Sequence, residues 1–114
     1  MNTETTQLNE ENKNLQLHVD MKNKLERLYS NQDFIDVFVE EYFKNYAAHL
    51  VQIRVSPQLE ERVIKGIDND MTGIGAVQSF LHRVLAEGFS SETQLKENRA
   101  TQNEIYAEDE ERVA

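Results

Sequence analysis

The 114-residue chain has no cysteine and no tryptophan, one proline, four glycines and three histidines. Without cysteine there is no disulfide, no thiolate metal ligand and no cysteine nucleophile, and the composition fits a reducing compartment. So few prolines and glycines leave little provision for the tight turns of a sheet, which predicts an all-α fold. No apolar run approaches the about 20 residues that cross a bilayer, and Met1 to Gln7 lacks the basic start and apolar stretch of a secretory signal. An intracellular protein is the expectation. Basic residues are also scarce, 12 against 21 acids for a formal charge of -9. The densest basic group, Lys13, Lys22, Lys24 and Arg27, is interleaved with Glu10, Glu11, Asp20 and Glu26. Such a balance repels phosphates and anionic lipid, so direct binding to nucleic acid or to a membrane is not expected.

What the chain does have is helical periodicity. Residues 1–14 hold the single apolar side chain Leu8 beyond Met1, a composition that predicts a polar, flexible N-terminal arm. From Leu15 to Tyr29 the apolar positions settle, after Met21, into steps of three and four, the mark of a first helix. Asn31 then stands before a densely apolar run, placed to cap it, with Asp33 adding negative charge to the first turn. This second helix, Gln32 to Ile53, is apolar over more than half its circumference and is expected to be the centre of the fold.

Ser56 and Pro57 predict the next helix start, as N-cap and first helical residue. A third helix is expected from Pro57 to Glu87, with Val63, Ile67, Met71, Ile74, Val77 and Leu81 forming a seam. Gly66, Gly73 and Gly75 inside it suggest a close helix crossing or a kink, the kink falling at Gly73-Ile74-Gly75. Gly88 suits a helix end, with Ser90 or Ser91 capping a last helix. From Glu92 onward seven acids and three bases surround few apolar residues, predicting an acidic C-terminal helix or tail that ends in Glu108-Asp109-Glu110-Glu111. The expected architecture is a small antiparallel bundle of three main helices over residues 15–90, flanked by the arm 1–14 and the acidic segment 91–114.

No constellation dictates a reaction. Asp68, Asp70, Thr72 and Gly73 imitate the opening of an EF-hand loop, but Ser79 stands where a bidentate glutamate should close the calcium shell. His18, His49 and His82 have no partner at the helical spacing a shared metal needs. Glu40 and Glu41 diverge by about a hundred degrees around a helix and cannot converge on one substrate atom. Catalytic, cofactor and metal residues are accordingly not expected. Phe34, Phe38 and Tyr42 lie on a different α-helical stripe from Val39, Phe43, Tyr46 and Leu50, so one stripe can pack inside while the other meets another subunit. Interface candidates are Phe34, Phe38 and Tyr42, with Leu95, Ile105 and Tyr106 on the polar C-terminal helix, and self-association is expected.

The order Arg27-Leu28, Asn31, Asp33-Phe34, Tyr42-Phe43, Ala47-Ala48-His49-Leu50-Val51, Asp68, Ile74-Gly75-Ala76 and a final acidic segment resembles a family of small acidic helical proteins encoded in structural and assembly gene blocks of tailed bacteriophages. The chain departs from that pattern at Val39-Glu40-Glu41, where a glycine is common, and in its Asn-rich N-terminus. The resemblance implies a non-enzymatic virion structural or assembly accessory protein that binds a capsid, portal or scaffold partner. It would work in the host cytoplasm during infection or in the particle itself. The alternative is an acidic phage protein that binds and inhibits a host nucleic-acid-handling protein.

Overall fold

The computed structural model describes residues 3–113, and among them there is helix and no strand. The all-α expectation holds. Helix α1 spans Thr3–Tyr29, a single turn α2 spans Gln32–Phe34, a π-helix spans Ile35–Tyr46, α3 spans Ala47–Arg54 and α4 spans Glu61–Val113. No helix among the described residues is long and apolar enough to cross a membrane. The chain divides into two units, residues 25–83 and the pair of segments 1–24 and 84–114. Helices α1 and α4 each contribute to both.

In the unit of residues 25–83 the first corner forms as the sequence predicts. Ser30 N–H donates to Arg27 O and Asn31 N–H to Leu28 O, closing α1, and Asn31 Oδ1 accepts from Phe34 N–H at 3.0 Å. The core is the buried cluster Leu50, Ile67 and Ile74, against which Tyr42, Phe43, Tyr46, Ala47, Ile53 and Leu59 pack. Each such buried aliphatic contributes about 1.5–3 kcal/mol. Tyr46 bonds Asp70 and Arg54 pairs with Asp68, so partners on α4 fall in number as those on the preceding helix rise, which makes the two antiparallel. The second corner departs from expectation. Ser56 and Pro57 do not open a helix, because Gln58 adopts φ 66°, a left-handed conformation that interrupts helical winding. Helix α4 begins at Glu61 instead, after the turn has brought Leu59 onto the core.

The other unit pairs Thr3–Lys24 of α1 with the C-terminal half of α4. Thr5, Leu8, Asn12, Leu15, Val19 and Lys22 alternate in steps of three and four, and so do Val84, Gly88, Ser91, Leu95, Asn98, Gln102 and Ile105. All are buried or half-buried, giving two facing rows with the seven-residue repeat of a coiled-coil seam. Asn9 bonds Gln102, Asn12 bonds Asn98 and Lys22 pairs with Glu92, so the segments run antiparallel. Residues 3–14, expected as a flexible arm, are helical and contribute Thr5, Leu8 and Asn12 to this seam. The acidic segment, expected as a separate helix or tail, is the end of α4 and contributes Ser91, Leu95, Asn98, Gln102 and Ile105 to the facing row. The reason is polar pairing: composition alone gives these segments too little apolar surface, but facing amides satisfy one another.

Glycines play a different part from the one predicted. Helix α4 is unbroken through Gly73, Ile74 and Gly75, and Gly66 and Gly75 have open space where a Cβ would stand. The close crossing is at Gly88, expected as a helix end. It lies mid-helix and is buried, and an added Cβ there would collide with Lys22 Cβ. Lys22, only 4 % exposed, passes over this gap with its ammonium 2.5 Å from Glu92 Oε1 and 4.8 Å from the centre of the Phe89 ring.

Candidate interaction surface

The π-helix organises the aromatic side chains. π-helical winding is rare and occurs mostly as single-turn bulges, often at functional sites; here it lasts 12 residues. Its i→i+5 hydrogen bonds put nearly one extra residue in each turn, so positions four apart fall back around the axis where in an α-helix they would run ahead. Along it Phe34 stacks on Phe38 at 5.2 Å and 26°, Phe38 meets Tyr42 edge-on at 6.2 Å, and Tyr42 stacks on Tyr46 at 6.2 Å and 16°. Tyr29, at the end of α1, closes the row edge-on against Phe34 at 5.4 Å. Each pair adds about 0.5–1.5 kcal/mol beyond its buried area, and together they support the wider helix.

This row corrects the two-stripe expectation in one respect. Tyr46, assigned by α-helical geometry to the stripe of Val39 and Leu50, stacks on the Phe34 stripe, and Phe43 touches both Phe38 and Tyr42. The row therefore has an inner end, Tyr42 and Tyr46, packed on the core, and an outer end at Phe34 and Phe38. Phe38 is 41 % exposed, and Val37 and Leu28 are exposed as well.

Polar groups brace the inner end. Tyr46 Oη donates to Asp70 Oδ2 at 2.8 Å, and the Arg54 guanidinium donates to Asp68 Oδ1 at 3.1 Å. The hydrogen bond to the Asp70 carboxylate, with lesser contributions from desolvation and from the charge of Asp70, raises the Tyr46 phenol above its ordinary value of 10.0. Asp68 and Asp70, which imitate a calcium loop in sequence, lie on α4 and serve as these acceptors. Among the described residues no three His, Asp or Glu side chains cluster as metal ligands.

Phe34, Phe38 and Tyr42 are thus brought together, whereas Leu95, Ile105 and Tyr106 belong to the other unit. Leu95 is 4 % exposed, buried in the helix-pair seam, and is not free surface. Ile105 is half-buried, and Tyr106 is 52 % exposed. No family model, curated protein or solved structure matches the chain.

Two groups escaped the sequence reading. Tyr29 and Tyr46 extend the aromatic row, and a winding change gives no signal in residue spacing. The amide chain Gln94, Asn98, Asn12, Gln102 and Asn9 is linked by bonds of 2.9, 2.9, 3.4 and 2.8 Å. Its signal was present as amides and small residues at coiled-coil spacing, which a search for apolar periodicity alone passes over.

Proposed function

We propose that this chain is a non-enzymatic accessory protein of bacteriophage particle assembly that acts by binding other protein subunits. The observation that carries the binding role is the outer end of the aromatic row. Phe34 and Phe38 are held in fixed orientation by stacking, and Phe38 presents its ring to solvent beside Val37. Rigid aromatic side chains supply contact area at low entropic cost and are enriched at interfaces. The assembly setting rests on the collinear motifs from Arg27-Leu28 to the final acids. Binding a capsid, portal or scaffold subunit, or a second copy of this chain, would shift that partner by mass action toward its assembly-competent state. A net charge of -9 favours a basic partner surface and disfavours contact with DNA.

One observation favours the second reading, an inhibitor of a host nucleic-acid-handling protein. The acids Glu108 to Glu111 lie on α4, which continues to Val113, and mimicry of nucleic acid needs carboxylates on an ordered surface. Light scattering on the purified protein, alone and mixed with the capsid and portal proteins of its phage, separates the two. The expected result is a complex with one of these proteins that Phe38→Asp weakens at least tenfold while its helical circular dichroism is kept. Indifference to both phage proteins, together with capture of a basic host enzyme, would replace the assembly reading with the inhibitor one.

A further inference from the structure

We infer that one flank of the helix pair formed by residues 3–24 and 84–113 is a docking groove for a basic amphipathic helix of another protein. This does not rest on the aromatic row, which belongs to the other unit. On α1, Glu4, Gln7, Glu11, Asn14, His18 and Met21 follow one another at alternating steps of three and four and so share a face beside the seam. Two open grooves lie along that face. One, of about 360 Å³, has Leu8 and Ile105 as its apolar floor and Glu4 and Glu11 on its rim. The other, of about 340 Å³, is lined by Leu17, Met21 and Val84 with His18 and Glu87 beside them.

Leu17 is 65 % exposed and Met21 is also exposed, an arrangement that a lone helix pair does not need and that a third helix would cover. Apolar side chains from such a helix, repeating at coiled-coil spacing, would enter the grooves, and its flanking cations would meet the exposed Glu4 and Glu11 carboxylates. Charge decides the occupant. A second copy would bring another net charge of -9 to a face that carries acids, and Lys22 of the seam is already paired with Glu92. A basic helix from a different chain suits both the floor and the rim.

The test uses the full chain and a synthetic helical peptide with leucines at alternating steps of three and four and lysines flanking them. Amide chemical shifts should move at Leu8, Leu17, Met21 and Ile105, with affinity falling at least fivefold between 50 and 300 mM salt as about one or two charge contacts are screened. Charge reversal at the exposed positions, Glu4→Lys with Glu11→Lys, should weaken binding at least tenfold without altering the fold. A peptide of the same composition with its leucines scrambled off one face should bind at least tenfold more weakly. Equal binding of the scrambled peptide would reduce the effect to bulk acidity and overturn the proposal. So would shifts confined to the opposite flank at Asn9, Gln16 and Arg99, or a peptide-free dimer that covers Leu17 and Met21.

Discussion

Gly88 and Lys22 show how much one missing methyl can decide. The collision that a Cβ at Gly88 would make is with Lys22 Cβ, an atom fixed by its own backbone, so rotation of the lysine chain cannot relieve it. Gly88→Ala is therefore expected to destabilise the helix pair by roughly 1–3 kcal/mol, read as a lower urea midpoint. Gly66→Ala is the matched control: its site is open and helical, so it should gain about 0.5–1 kcal/mol. Tyr46 provides a pH-dependent counterpart. Its folded pKa is raised above 10.0 by the bond to Asp70, so the stability it contributes is fully present below pH 10.0 and is lost as pH rises through the higher folded value. A tyrosinate absorbance titration should contain a component above pH 10.0, and Tyr46→Phe should remove it. Persistence of that component in the variant would reassign the shift.

Among the elements, the helix pair is specified by polar contacts more than by apolar burial. A buried amide at a seam position fixes register and orientation and lowers stability, because other alignments would leave it unpaired. Asn12 and Asn98 bond each other at 2.9 Å. Replacing both with leucine removes this pair together and leaves the half-exposed Gln94 and Gln102 to bond water, which is expected to be neutral or to stabilise by up to about 2 kcal/mol. It should also release the register, giving more than one set of amide resonances for α1. A single resonance set with a lowered melting temperature would show that the amides hold the pair by strength and not by selection. The π-helix is held in the opposite manner, by rings in contact along its length. Phe38→Asp removes the ring that joins the outer end of that row to the inner one, which is why helicity must be checked alongside partner binding.

For the molecule as a whole, the two units differ in what holds them. Residues 25–83 gather Leu50, Ile67 and Ile74 with aromatic neighbours into one apolar cluster, whereas the helix pair buries Thr5, Lys22, Ser91 and Asn98 beside Val19 and Leu95. Local opening follows apolar burial. Amide hydrogen exchange is expected to be slowest around Leu50, Ile67 and Ile74, and at least tenfold faster for the segments 3–24 and 84–113. Uniform protection across both units would mean that the amide chain and the Lys22–Glu92 pair stabilise as strongly as the apolar core does.

The sequence by itself determined the helical class, the cap at Asn31 and the apolar stripes that supply Leu50, Ile67 and Ile74, because these depend on periodicity and local backbone chemistry. It also brought Phe34, Phe38 and Tyr42 onto one ridge. It did not reveal that residues 3–14 share a seam with Asn98 and Gln102 of the C-terminal segment, since these amides become favourable only when a facing amide across the pair satisfies them. Nor did it place the start of α4 at Glu61, which follows from the left-handed turn at Gln58. Tertiary structure decided three further points: that Gly88 is a crossing and not an end, that Leu95 is core and not surface, and that Tyr46 joins the aromatic row. Each turns on what stands opposite a residue or on how the backbone winds, and residue spacing along one helix carries neither.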